Sequence, residues 1–245
     1  MTAISQFLSD LPPWPTHLGW AWVLITLAAY ILVMWFRRFV IKSAWNAPLV
    51  LTSLLMAFGL ILFDIPYEGY MDGGAVWGWF LMPATVAMAI PLYDHIDILR
   101  QRLSSILIGI VSGSLVAVAS ALLVAGFIGV APETFVSLAP KSVTTPIAIG
   151  IGSEIGGLSG LIAAIVVITG IFGIIVGPMV FRLMGITDVK AQGLAYGLAA
   201  HAIGTAEALR VNPLMGSFAA LALGVNGLLT GLFLPAIMLW FTGGS

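Results

Sequence analysis

Long apolar runs separated by short polar clusters dominate this chain. Runs of this kind predict membrane-crossing helices, because barrel strands would be short and would alternate in polarity. The pattern places a first helix at Leu18–Phe36 and a second at Ala47–Phe63. The loop Asp64–Gly74 follows, holding Asp64, Glu68 and Asp72 and no basic residue. Trp77–Tyr93 then reads as a helix broken by Pro83 and Pro91. Ser104–Gly129 and Leu158–Leu183 are long helices, Ala191–Leu209 is a glycine-rich one, and Leu214–Phe241 closes the chain. The expected architecture is an all-α integral membrane protein with about 7 transmembrane helices and one irregular segment. Residues 1–17 form a polar N-terminal segment without signal-peptide features, and 18–245 a single transmembrane domain.

The irregular segment is Ala139–Gly157, APKSVTTPIAIGIGSEIGG. It holds a lysine, a glutamate, two serines, two threonines, two prolines and four glycines. In hydrocarbon, such backbone and such side chains are tolerated only where they are buried in protein or line a cavity. The segment is therefore the first place to look for function.

Basic residues orient the chain. Arg37, Arg38 and Lys42 follow the first helix, which puts that loop in the cytoplasm and the N-terminus outside. Arg100 and Arg102 mark a second cytoplasmic loop. If Phe135–Ile151 crosses the membrane, Arg182 and Lys190 fall outside; if it dips in and returns, they fall inside. The positive-inside rule favours the re-entrant option, at the expense of placing Arg210 outside. A faint repeat at an offset of 110 residues lays Trp79–Gly129 onto Val189–Leu239. With a re-entrant segment the halves, 18–130 and 131–243, come out inverted, as in many secondary transporters.

Composition removes other classes. Of 245 residues, 60% are hydrophobic and 8% charged, against about 25% charged in a soluble domain. A net charge of −1 argues against nucleic acid as a partner. There is no cysteine, and His17, His95 and His201 have no metal-ligand spacing. Neither a catalytic constellation nor a cofactor motif is found, so an enzyme is not expected.

The remaining polar residues are candidates for binding. Lys141 could hold a carboxylate as a point charge, or anchor at the interface by snorkelling. Ser142, Thr144 and Thr145, just before Pro146, suit an anion bound at a broken helix, or satisfy carbonyls that Pro146 opens. Glu154 is a candidate proton carrier, or a cap for the helix starting near Leu158. Gly197, His201 and Thr205, at i, i+4 and i+8, would share one polar helix face, with His201 able to take up a proton. Glu207 pairs more simply with Arg210. Asn226 is a tie between helices or a ligand contact. Thr85, between Pro83 and Pro91, is the candidate from the first broken helix, while Asp94, His95 and Asp97 read as a solvated turn.

Two motifs, PKSVTTPIAIGIGSEIGG at Pro140–Gly157 and GLAYGLAAHAIGTA at Gly193–Ala206, resemble the LrgB/CidB family of bacterial membrane proteins. MPATVAMAIPLY at Met82–Tyr93 fits the same family more weakly. Gly152 departs from the pattern, since members often carry a bulkier residue there. The resemblance implies two competing functions. One is an antiholin-like or holin-like modulator of murein hydrolase export and autolysis. The other is transport of small monocarboxylates such as pyruvate, lactate or glycolate; a plant relative is a plastid glycolate/glycerate transporter. It also implies the bacterial inner membrane and a possible LrgA/CidA-type subunit. The physical reading favours the transporter, because a lesion former needs no lysine, hydroxyls and glutamate on a broken backbone. A homodimer is the expected assembly, from the abundance of close-packing glycines.

Overall fold

The computed structural model describes residues 15–39, 48–87 and 89–242, and among them only helices and their connections occur. Lys42 and the N-terminal segment up to residue 14 lie outside the described residues. The chain divides into two compact units, Met1–Ala87 and Met88–Ser245.

The first unit holds α1 (His17–Phe36), α2 (Pro48–Leu62) and α3 (Tyr67–Ala87). Thr16 caps α1, accepting from the Gly19 N–H at 3.1 Å, and gives its own hydroxyl proton to Asp72. Asp72 sits within α3, so the expected loop 64–74 is helical from Tyr67 onward. The reason is close packing. A Cβ on Gly73 would lie 1.9 Å from the Gly19 carbonyl oxygen, so α1 and α3 touch backbone to backbone. Pro83 also departs from expectation: it lies inside α3 and does not end it. A membrane helix absorbs one lost donor by local adjustment.

The second unit holds α4 (Ala89–Asp94), α5 (Ile96–Gln101), α6 (Leu103–Ile128), α7 (Pro132–Leu138), α8 (Thr145–Glu154), α9 (Ser159–Leu183), α10 (Val189–Ala199), α11 (His201–Val211) and α12 (Pro213–Thr242). Among the described residues, α1, α6, α9 and α12 are long and apolar enough to cross a membrane; α2 is shorter, at 15 residues. The expected turn at Asp94–Asp97 is only partly solvated. His95 is half-buried, and its Nδ1 lies 3.0 Å from the Ser217 hydroxyl on α12.

Two chain reversals organise this unit. The first joins α7 to α8. Ser137, at the end of α7, accepts from the Leu158 N–H at 2.9 Å, and Pro140 lies beside Gly152. Residues 137 and 157 are thus neighbours, and so are 140 and 152, which is an antiparallel hairpin with its tip at 141–144. The second reversal joins α10 to α11. The Ala200 Cβ and Tyr196 carbonyl face Gly204, where a straight helix would hold residues 196 and 204 about 12 Å apart. His201 turns the chain with a left-handed φ of 43°. Gly193 and Gly197 lay α10 directly on α12: Cβ atoms there would lie 2.3 Å from the Met215 oxygen and 2.2 Å from the Ala219 oxygen. Ile110, Leu198 and Phe218 fill the core between α6, α10 and α12.

Candidate functional site

Both tips meet the middle of α9. Val143, from the first tip, is fully buried in a cluster with Ile162 and Val166. His201, at the second, is buried, and its Nε2 lies 3.0 Å from the Val166 carbonyl. That contact puts the proton on Nε2 in the neutral ring, because a carbonyl can only accept. Glycines let the second tip approach so closely. A Cβ on Gly170 would lie 2.8 Å from the His201 ring, and one on Gly173 2.6 Å from the Ala200 Cβ.

A cavity of about 310 Å³ opens beside this meeting point. Its inner end is lined by Lys141, Thr169, Ala199 and Ala200, and its far end by Val180, Phe181 and Tyr196. From residue 169 to residue 180 it follows one face of α9 for roughly 16 Å. Phe181 and Tyr196 stack edge to face there, with centroids 5.2 Å apart. Among the described residues, Lys141 is the one cation on a lining otherwise made of apolar residues, glycines and two hydroxyls. Its ammonium reaches the Ser142 hydroxyl at 3.5 Å. A half-buried ammonium in apolar walls favours an anionic partner.

Among the other candidates, Asn226 and Thr205 hold the tips. Asn226 is buried. Its Nδ2 donates to the Ser142 carbonyl at 2.8 Å, and its Oδ1 accepts from Ser114 at 2.6 Å, which ties the first tip to α6 and α12. Asn226 is thus a tie between helices. Ser142 is buried, whereas Thr144 and Thr145 are half-buried at the start of α8. Thr205 is fully buried and returns its hydroxyl to the His201 carbonyl at 2.8 Å. Gly197, His201 and Thr205 do not form one helix face, because the chain reverses between the first and the other two. Glu154 is exposed, and no side chain caps α9; the Leu158 N–H goes to Ser137 instead. Glu207 and Arg210 form the expected local ion pair. Thr85 lies on α3 in the first unit, and its side chain is outside the described residues.

Sequence reasoning missed Ser114, Ser137, Thr169 and Tyr196. The two serines are ordinary helix residues whose partners lie 112 and 21 positions away. Tyr196 sits inside one of the quoted motifs, where only the histidine and the small residues drew notice. Thr169 gives no signal within an apolar helix.

The described residues thus define a helical membrane protein with two chain reversals beside a cavity that Lys141 lines. The LrgB-like family matches this chain over residues 26–240, and the chain belongs to that family. YxaC of Bacillus subtilis strain 168 is 34% identical over 220 residues, covering 89% of this chain and 95% of YxaC. A protein of Haemophilus influenzae strain Rd is also 34% identical, over 80% of this chain and 87% of its own length. The holin-like protein CidB of Staphylococcus aureus strain N315 is 28% identical over 79% of this chain and 85% of CidB. No solved structure matches the chain.

Proposed function

We propose that this chain is a secondary transporter of small monocarboxylates, of the pyruvate, lactate and glycolate type, in the bacterial inner membrane. Lys141 is the carboxylate-holding group, and the Ser142–Thr145 turn presents the backbone of the α8 N-terminus beside it. The observation that carries the reading is the convergence of both chain reversals on Val166, with Lys141 opening into the cavity there. The α7–α8 hairpin supports a re-entrant segment, and on this reading Arg182 and Lys190 face the cytoplasm. In that orientation the cavity runs from Lys141 toward the cytoplasmic end of α9. His201 is the better proton-coupling candidate of the two, since it is buried at the tip while Glu154 is exposed.

The test is uptake of labelled pyruvate, lactate and glycolate into proteoliposomes, with and without a pH gradient. Saturable uptake lost in Lys141→Ala, at unchanged yield of folded protein, is the expected result. Uptake that survives this substitution, or no uptake of any of the three even with an LrgA/CidA-type subunit added, would overturn the assignment. The name borne by the staphylococcal relatives supports a second reading, a holin-like modulator of murein hydrolase export and autolysis. Release of a trapped dye from the same vesicles separates the two, because a carrier keeps the dye inside. An LrgA/CidA-type subunit added to the vesicles shows whether either activity needs a partner.

A further inference from the structure

Two hydroxyls line the cavity, and they stand at different levels. Tyr196 lies over Gly177, near the far end. Thr169 is next to Gly170 and about one turn from Gly173, which hold the second tip, and three residues beyond Val166, which packs against Val143 of the first. Thr169 and Lys141 are therefore at the same, inner end of the cavity. About 12 Å of α9 separates residues 169 and 177, so a three-carbon acid bound at Lys141 meets Thr169 and not Tyr196.

The Thr169 hydroxyl is also open to an outside partner. Thr26 and Thr205 each return their hydroxyl to the carbonyl four residues earlier. That is the common resort of a hydroxyl in an apolar helix. Thr169 makes no such bond, and none to any other described residue, while it lines the cavity. A hydroxyl that lines a cavity without an internal partner can bond a molecule that enters it. Among the described residues, Lys141 has a single, long bond of 3.5 Å. One ammonium and one hydroxyl are thus both available to a molecule at the inner end.

We propose that Thr169 is a specificity-determining residue that bonds the oxygen on carbon 2 of the substrate while Lys141 holds its carboxylate. The proposal rests on the carboxylate reading above and deepens it. A threonine hydroxyl can donate to a keto oxygen and can either donate to or accept from a hydroxyl. It has nothing to offer an alkanoate, whose carbon 2 would leave it unpaired. The site therefore prefers 2-hydroxy and 2-oxo monocarboxylates to unsubstituted acids of the same length.

Lactate and propionate differ only in that oxygen. In proteoliposomes, the KM for labelled lactate and the inhibition constant of propionate against it are measured for the intact chain, Thr169→Val and Thr169→Ser. The intact chain should prefer lactate by about tenfold, the worth of one buried hydrogen bond. Thr169→Val should raise the lactate KM by about tenfold and leave the propionate constant unchanged. Thr169→Ser, which keeps the hydroxyl, should retain the preference. Equal shifts for both acids in Thr169→Val, or no preference in the intact chain, would overturn the role of Thr169 while leaving Lys141 in place. Lactate uptake that is absent from the intact chain even with an LrgA/CidA-type subunit added, or kept in Lys141→Ala, would overturn the carboxylate reading and this proposal together.

Discussion

The two chain reversals do the same geometric job with opposite chemistry. The α7–α8 turn is written in residues that break helices: Pro140, Pro146 and the hydroxyls between them. Its tip is held from outside, by Asn226 on α12 bonding the Ser142 carbonyl. The α10–α11 turn has neither proline nor glycine at the break, and Ala200–His201 reads as helix. It is forced from outside instead. α10 is pressed against α12 through Gly193 and Gly197, and α11 folds back past Tyr196 at Gly204. A helix can therefore be ended by its own sequence or by its neighbours, and the two kinds of end fail differently when mutated.

The largest expected effect is at the forced turn. Gly197→Val would drive a branched side chain into the Ala219 carbonyl, where even a Cβ comes to 2.2 Å. Backbone cannot rotate away as a side chain can, so a loss of about 3 kcal/mol or more is expected. The readout is the fraction of protein that elutes as a single folded species in detergent. The change at the other hairpin is Gly152→Ala, whose Cβ meets side-chain atoms alone, chiefly the Ile162 Cδ1 at 2.2 Å. A rotamer change relieves that contact at about 1 kcal/mol. If the two variants lose folded protein equally, the contrast between forced and self-written ends is wrong.

Next in size is the tie on the first tip. Asn226→Leu leaves the Ser142 carbonyl without its partner in a buried site, while the Ser114 hydroxyl turns to the Ile110 carbonyl. The expected loss is about 2 kcal/mol, read as a lower melting temperature. Because the tip carries Lys141, substrate affinity should fall in the same variant. Ser114→Ala, which removes only one end of the network, should fall short of both effects.

This contrast also explains what could be read in the sequence. The long helices α1, α6, α9 and α12 follow from unbroken apolar runs. The first hairpin and Lys141 follow from a polar, proline-bearing island within them. The second hairpin was not legible, because its cause lies in contacts between residues about 22 positions apart, such as Gly197 with Ala219. That is why Gly197, His201 and Thr205 read as one face of a straight helix. Thr169 was hidden for a related reason: a hydroxyl in a helix is mute until the cavity beside it is known. The helical start of α3 was hidden too, since Asp72 looks like a loop residue until Thr16 is found to bond it.

The smallest effect isolates the backbone at the forced turn. His201 holds φ at 43°, a conformation in which a side chain other than glycine crowds the next carbonyl. Its ring gains the Val166 carbonyl in return. His201→Ala removes that bond and keeps the crowding, whereas His201→Gly removes both. The glycine variant should therefore be the more stable of the two by about 1 kcal/mol, the usual penalty of a left-handed residue. In an ordinary helix the order would be reversed by about the same amount, since glycine is the poorer helix former. Melting the two variants side by side in one detergent decides the sign. An alanine variant that outlasts the glycine variant would mean that α10 runs on into α11 without reversing at His201. The tip beside the cavity, and the role it gives Ala199 and Ala200 in lining it, would then have to be redrawn.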